Sequence, residues 1–72
     1  MNNYITGTTI KMLRDKLHLT QSQLAEKLCV SDKAISKWET GKGFPDISLV
    51  EPLAVALRVS IPELLTGEQI IN

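Results

Sequence analysis

Three short boxes of the form Ser/Thr-x-x-Glu/Gln divide this chain into segments that suit only short helices. They are Thr20-Gln21-Ser22-Gln23, Ser48-Leu49-Val50-Glu51 and Ser60-Ile61-Pro62-Glu63. In such a box the hydroxyl accepts an N–H that the first helical turn leaves without a partner, and the Glu or Gln reaches back to the N–H of the cap. Ser31 reads as a plain N-cap, with Asp32 well placed at the positive helix end. Apolar residues recur at helical spacing behind these starts: Leu24 and Leu28, Ile35 and Trp38, Leu49, Val50, Leu53, Ala54 and Leu57, then Ile61, Leu64 and Leu65. Ile10, Leu13 and Leu17 form one more such face ahead of them. No stretch alternates with period two over a strand's length. The pattern predicts an all-α fold of five helices, at residues 6–17, 20–28, 31–39, 48–57 and 61–65. Pro52 then falls at the fourth helical position behind Ser48, where one hydrogen bond is lost, which places it in the first turn or moves the helix start later. Gly41 and Gly43 mark the loop after the third helix, and Gly67 the stop after the fifth.

At 72 residues the chain is one small domain, and 43% hydrophobic against 22% charged residues suffices for a packed core. No internal repeat or low-complexity stretch is visible. No apolar run approaches the roughly 20 residues of a membrane span. The start, Met1-Asn2-Asn3-Tyr4, lacks a basic segment followed by an apolar one, so a cytoplasmic location is expected. One cysteine, Cys29, and one histidine, His18, exclude a disulfide framework and a Cys/His metal site within the chain. There is no nucleophile–base pair, no inward-spaced carboxylate pair and no glycine-rich phosphate loop. The expectation is therefore no enzyme, no metal and no cofactor.

Eight basic and eight acidic residues give zero net charge, which by itself argues against a polyanion as partner. The distribution argues the other way. Residues 1–42 hold seven bases (Lys11, Arg14, Lys16, Lys27, Lys33, Lys37, Lys42) and four acids (Asp15, Glu26, Asp32, Glu39), a net of +3. Residues 43–72 hold Arg58 against Asp46, Glu51, Glu63 and Glu68, a net of −3. Such a dipolar domain can turn a basic face to a polyanion.

Only Cys29-Val30 separates the second helix from the third. A turn that short makes the two helices cross steeply, and the third projects as a rod with one face free. At roughly 100° per residue, Ile35 and Trp38 point inward with the Ser31 cap, while Lys33, Lys37 and Thr40 point outward with Ser36 beside them. Two lysines and two hydroxyls on a short helix suit a DNA major groove. A plain solvated face, which any small helical protein has, would look the same on the wheel.

The ordered residues add more. Leu19-Thr20-Gln21-x-x-Leu24-Ala25-x-x-Leu28, followed by Val30-Ser31-x-x-Ala34-Ile35-Ser36-x-Trp38-Glu39-x-Gly41, resembles the Xre/Cro family of helix-turn-helix DNA-binding domains, the phage lambda repressor-like type. Pro45-Asp46-Ile47-Ser48-Leu49 through Val59-Ser60-Ile61-x-Glu63-Leu64-Leu65 is similar to that family's fourth and fifth helices. The resemblance implies a compact five-helix domain with the third helix as recognition helix. It implies sequence-specific binding of double-stranded DNA by a bacterial or phage transcriptional regulator, usually a repressor, acting as a dimer on palindromic operators. By position, Asp32, Lys33 and Lys37 match base-contacting residues. Thr20, Gln21, Ser31, Ser36, Thr40 and Lys42 match contacts to the DNA backbone, with Gln21 on a phosphate. Lys33 can donate to guanine O6 and N7. Asp32 can accept from cytosine N4 or merely serve the helix dipole, and Lys37 can meet a base or a phosphate. Arg14 and Glu39 match a largely buried structural ion pair between helices one and three.

Residues 1–67 are expected to form the DNA-binding domain, and residues 68–72 a tail or the start of a linker to a further C-terminal domain. A homodimer on DNA is expected to meet through Ile61 to Ile71, and the location to be cytoplasmic, at the nucleoid. The alternative is an antitoxin-like or partner-binding module on the same fold. Two residues depart from the family pattern: Cys29 stands in the tight turn, and His18 at the end of helix one, where glycine is frequent. Cys29 reads as a small, semi-buried turn residue, costing about 1 kcal/mol if its φ is positive. His18 reads as a C-cap near the negative helix end.

Overall fold

The computed structural model describes residues 2–68, which form five helices and no strand: α1 (Asn3–Lys16), α2 (Gln21–Leu28), α3 (Asp32–Glu39), α4 (Ile47–Leu57) and α5 (Ile61–Thr66). A side-chain cap opens each of them. Asn2 Oδ1 accepts from the N–H groups of Tyr4 (2.9 Å) and Ile5 (3.2 Å), so α1 begins at Asn3 rather than at residue 6. The boxes at Thr20 and Ser60 are closed in both directions: Thr20 Oγ1 accepts from the Gln23 N–H at 3.0 Å, Gln23 Oε1 from the Thr20 N–H at 2.8 Å, and Ser60 and Glu63 repeat the exchange at 3.2 and 2.9 Å.

The box at Ser48 does not form. Asp46 is the cap of α4, and its Oδ2 accepts both from the Ser48 N–H (3.0 Å) and from the Ser48 hydroxyl (2.6 Å). A carboxylate two residues upstream outcompetes the serine for the cap role, because charge-assisted hydrogen bonds are the stronger ones. α4 consequently starts earlier than the sequence pattern indicates, and Pro52 is an interior residue. The Ser48 carbonyl loses its usual N–H partner there, and Ser48 is exposed, so water can take its place.

Three connections share one build. His18 (φ 58°), Cys29 (φ 57°) and Arg58 (φ 63°) each adopt the left-handed region. The next residue, Leu19, Val30 or Val59, donates its N–H five residues back, to the carbonyl of Arg14, Ala25 or Ala54, at 3.0 Å in every case. Thr20, Ser31 or Ser60 then caps the following helix. Leu19, Val30 and Val59 are half-buried, and the residues five beyond them, Leu24, Ile35 and Leu64, are fully buried, which is the spacing of a hydrophobic staple. Left-handed backbone at a non-glycine residue costs about 1 kcal/mol or more, and the chain accepts that three times. His18 accordingly lies one residue past the C-cap, which is Leu17.

Ile10, Leu24, Ile35, Leu53, Leu57 and Leu64 form the centre of the core, so every helix contributes. Ile61, grouped by spacing with the core face of α5, is instead 37% exposed. Gly7 lies where α1 crosses α3. A Cβ built on it would overlap the Trp38 carbonyl oxygen and stand 3.0 Å from that of Glu39, so the helices meet backbone to backbone. Thr6 and Thr9 line the same buried side of α1, and the Thr6 hydroxyl donates to the Leu65 carbonyl, joining α1 to α5.

Candidate nucleic-acid interface

The turn Cys29-Val30-Ser31 sets the direction of α3. Cys29 is left-handed (φ 57°, ψ 40°), and Ser31 Oγ accepts from the Ala34 N–H at 3.1 Å. The Cys29 side chain is exposed rather than semi-buried, since its left-handed backbone turns it away from the core. α3 then packs through Ile35 and Trp38, at 0% and 6% exposure. Asp32, Lys33 and Lys37 are all exposed, and Ser36 is half-buried at the edge of that face.

Behind this face lies a buried network. Arg14 Nε donates to Glu39 Oε2 at 2.6 Å, and Arg14 Nη2 to Glu39 Oε1 at 3.0 Å, a bidentate pair between α1 and α3 with both residues buried. Arg14 Nη1 donates to the Leu19 carbonyl at 2.8 Å and lies 3.3 Å from Asp15 Oδ1. The hydrogen bond to Glu39 holds the guanidinium pKa further above its ordinary value, with the charges of Glu39 and Asp15 adding to the effect against the opposing influence of burial. Two charges taken out of water are tolerated when geometry and hydrogen bonding are this complete.

Gln21 joins that network, which the sequence pattern does not indicate. Its Nε2 donates to Glu39 Oε1 at 3.0 Å. Glu39 therefore orients the first side chain of α2 as well as α1, and the amide keeps one N–H for an outside acceptor. The N–H groups of the first turn of α2 lie alongside it, so this helix start offers several donors to an anion.

The hydroxyls divide into two kinds. Those of Thr20 and Ser31 act as acceptors in their caps and keep their protons for an outside acceptor. Thr40 differs: its proton is directed to the carbonyls of Ser36 (2.9 Å) and Lys37 (3.3 Å), and its N–H to Ser36. A phosphate oxygen needs a donor, and Thr40 has none left in this rotamer, so its matched role as a backbone contact requires the hydroxyl to turn.

The loop after α3 folds back on the helix end. Gly41, at φ 76°, donates to the Trp38 carbonyl at 3.2 Å, and the Lys42 N–H to that of Lys37 at 3.0 Å. A Cβ built on Gly43 would stand 3.1 to 3.2 Å from Cγ, Cδ and Cε of Lys37, so the lysine stem lies along this glycine. Lys42 is exposed on the same loop. Ile70 and Ile71, expected at a dimer contact, lie outside the described residues. No described helix is long and apolar enough to cross a membrane.

A helix-turn-helix family model matches residues 10–64. The HTH-type transcriptional activator BcrR of Enterococcus faecalis is 48% identical over 63 residues, covering 88% of this chain and 31% of the relative. Repressor protein C2 of Salmonella phage P22 is 35% identical over 68 residues, covering 94% of this chain and 32% of the relative. The chain thus spans about one third of the length of each of these relatives. Among solved structures, the DNA-binding domain of the P22 C2 repressor superposes with a TM-score of 0.83 at 36% identity, over 93% of this chain and 88% of that one. The clp gene regulator ClgR of Corynebacterium glutamicum gives 0.82 at 25% identity, over 90% and 69%.

Proposed function

The chain belongs to the Xre/Cro-type helix-turn-helix family, and from that membership we propose that it is the sequence-specific, double-stranded-DNA-binding domain of a transcriptional regulator. One observation carries the reading: α3 is locked inward by Ile35, Trp38 and the Arg14–Glu39 pair, and presents Asp32, Lys33 and Lys37 to solvent. A rigid helix whose free side holds long polar side chains is what the major groove admits. Lys33 donates to a guanine edge, and Asp32 accepts from a cytosine amine. Thr20, Gln21, Ser31, Ser36 and Lys42 meet the sugar-phosphate backbone, with Gln21 presented by Glu39.

In this reading residues 1–67 are the DNA-binding domain. One such helix reads only about four base pairs, too few for tight specific binding. Two copies related by a dyad place their α3 helices about 34 Å apart on a palindrome, one turn of duplex. They meet through the α5 end, from Ile61 onward. The regulator acts in the cytoplasm, and repression is the proposed outcome, in line with the P22 relative, which is named a repressor.

Selection of bound duplexes from a random pool, at one stated salt concentration, tests the reading. An enriched palindromic sequence is expected. A pool that enriches nothing overturns it and leaves a partner-binding module. Sedimentation with the selected site then tests the dimer: two chains per palindrome are expected, and tight one-to-one binding to a half-site, unimproved by the second half, overturns that part.

A further inference from the structure

Base-reading and backbone-holding lysines differ in where the stem runs. Helical side chains lean toward the helix N-terminus, so a lysine on the outer face of α3 that reads a base runs along that face toward Lys33. The Lys37 stem runs elsewhere. Its Cγ, Cδ and Cε all lie against Gly43, within 3.1 to 3.2 Å of where a Cβ would stand. Three successive carbons on one loop residue mean that the stem lies on the loop up to the carbon that bears the ammonium. The loop itself is tied to the helix end by the hydrogen bond from the Lys42 N–H to the Lys37 carbonyl. Lys37, from the last turn of α3, and Lys42, from the loop, are thereby two exposed lysines on one folded-back segment, and neither is in an ion pair among the described residues. Compact ammonium charges with no acceptor beside them suit a phosphodiester, which needs charge and donors but no directional pattern.

We infer that Lys37 is a backbone-phosphate ligand rather than a base reader, and that Gly43 is the positioning residue that lays its stem along the loop beside Lys42. Base reading by α3 then falls to Asp32 and Lys33. The inference rests on the DNA-binding reading above and refines which residues carry specificity.

Binding of the 72-residue chain to its selected duplex and to scrambled duplexes, across a fourfold range of salt, provides the test. Lys37→Ala is expected to weaken every duplex by one common factor and to leave the selected motif unchanged. Its affinity loss over that salt range should be smaller than the parent's by about 3.5-fold, the slope of one released counterion. Lys37→Arg restores the parent slope. Gly43→Ala, which adds a methyl where φ is not positive, should give a smaller uniform loss in the parent and none in the Lys37→Ala background. A motif that broadens at one base pair in Lys37→Ala, with the salt slope unchanged, overturns the phosphate assignment while leaving the DNA-binding reading intact. An undiminished Gly43→Ala loss in the Lys37→Ala background overturns the positioning role. A parent chain that binds no duplex defeats both readings, and is told apart by that.

Discussion

The pairs α2–α3 and α4–α5 are joined by the same turn and do different work. Cys29-Val30-Ser31 and Arg58-Val59-Ser60 agree in left-handed residue, in the five-residue hydrogen bond and in the capping serine, whose ψ values are 154° and 162°. The positions that follow set them apart. Behind Ser31 come Asp32 and Lys33, and behind Ser60 come Ile61 and Pro62. Six residues past each cap stand Lys37 in α3 and Thr66 in α5. A helix-turn-helix geometry is thus a general way of joining two short helices. It becomes a reading head only where the outward positions carry long polar side chains and the helix behind them is immobilised.

The largest expected effect breaks the immobilising contact. Glu39→Ala strips the buried Arg14 of its bidentate carboxylate and leaves it only the Leu19 carbonyl and the exposed Asp15, at about 3–5 kcal/mol, enough to unfold so small a domain. Chemical denaturation measures this, and a loss under about 1 kcal/mol would show that α3 is held by its apolar side alone. The double change Arg14→Met with Glu39→Leu should fold, since apolar replacement of a buried pair is often neutral. Gly7→Ala comes next. Its methyl must push α1 off the α3 backbone, at about 3 kcal/mol in melting experiments, and an unshifted transition would mean the helices can slide apart freely.

The third prediction sharpens the contrast on DNA. Lys33→Ala should relax one base pair of the selected motif by about 1–3 kcal/mol. Lysine at the matching position of α5, Pro62→Lys, should add no base preference. A new preference there would mean that both turns can present a reading helix. Fourth, Cys29→Gly and Arg58→Gly should raise stability equally, each by up to about 1 kcal/mol, because both relieve the same left-handed strain. Unequal shifts would show that the turns are alike only in outline.

The smallest effect concerns pH. Hydrogen bonds from the Ser48 hydroxyl and then its N–H hold the Asp46 carboxyl below its ordinary value of 3.8. A lowered folded-state value gives stability that is present above that ordinary value and lost as pH falls through the folded one. The start of α4 should therefore fray in strong acid, because its cap is a carboxylate, whereas the cap of α3 is the hydroxyl of Ser31. Asp46→Asn should flatten the acid slope, and an unchanged slope would remove Asp46 from the account.

What the sequence made legible follows from how local each signal is. The boxes at Thr20 and Ser60 needed only residues three apart, and both formed. The box at Ser48 failed because a stronger acceptor, Asp46, sits just outside the pattern. The shared turn was hidden because His18, Cys29 and Arg58 have no common chemistry. Its signature lies in the next two residues, an aliphatic and then Ser or Thr, with another apolar residue four after the cap. The Arg14–Glu39 pair came only through resemblance to a family, since residues 25 apart in sequence carry no local signal of contact. Gln21 was expected at a phosphate and is also bound to Glu39, a tertiary contact no spacing rule reveals. Gly7 could have been found: a glycine three residues before Ile10, on the buried side of a helix, marks a close approach of another backbone.

That close approach has a consequence for how such a chain changes its target. The crossing of α1 over α3 is set by main-chain carbonyls of Trp38 and Glu39, which every sequence possesses, and by side chains that face inward. Nothing in it depends on what stands at positions 32 or 33. The outward letters of α3 can be rewritten while the frame that holds them stays put. Under the proposed DNA-binding reading, a new target sequence is then reached by a few surface exchanges that leave the fold intact, and the domain works as an interchangeable typeface on one unaltered press.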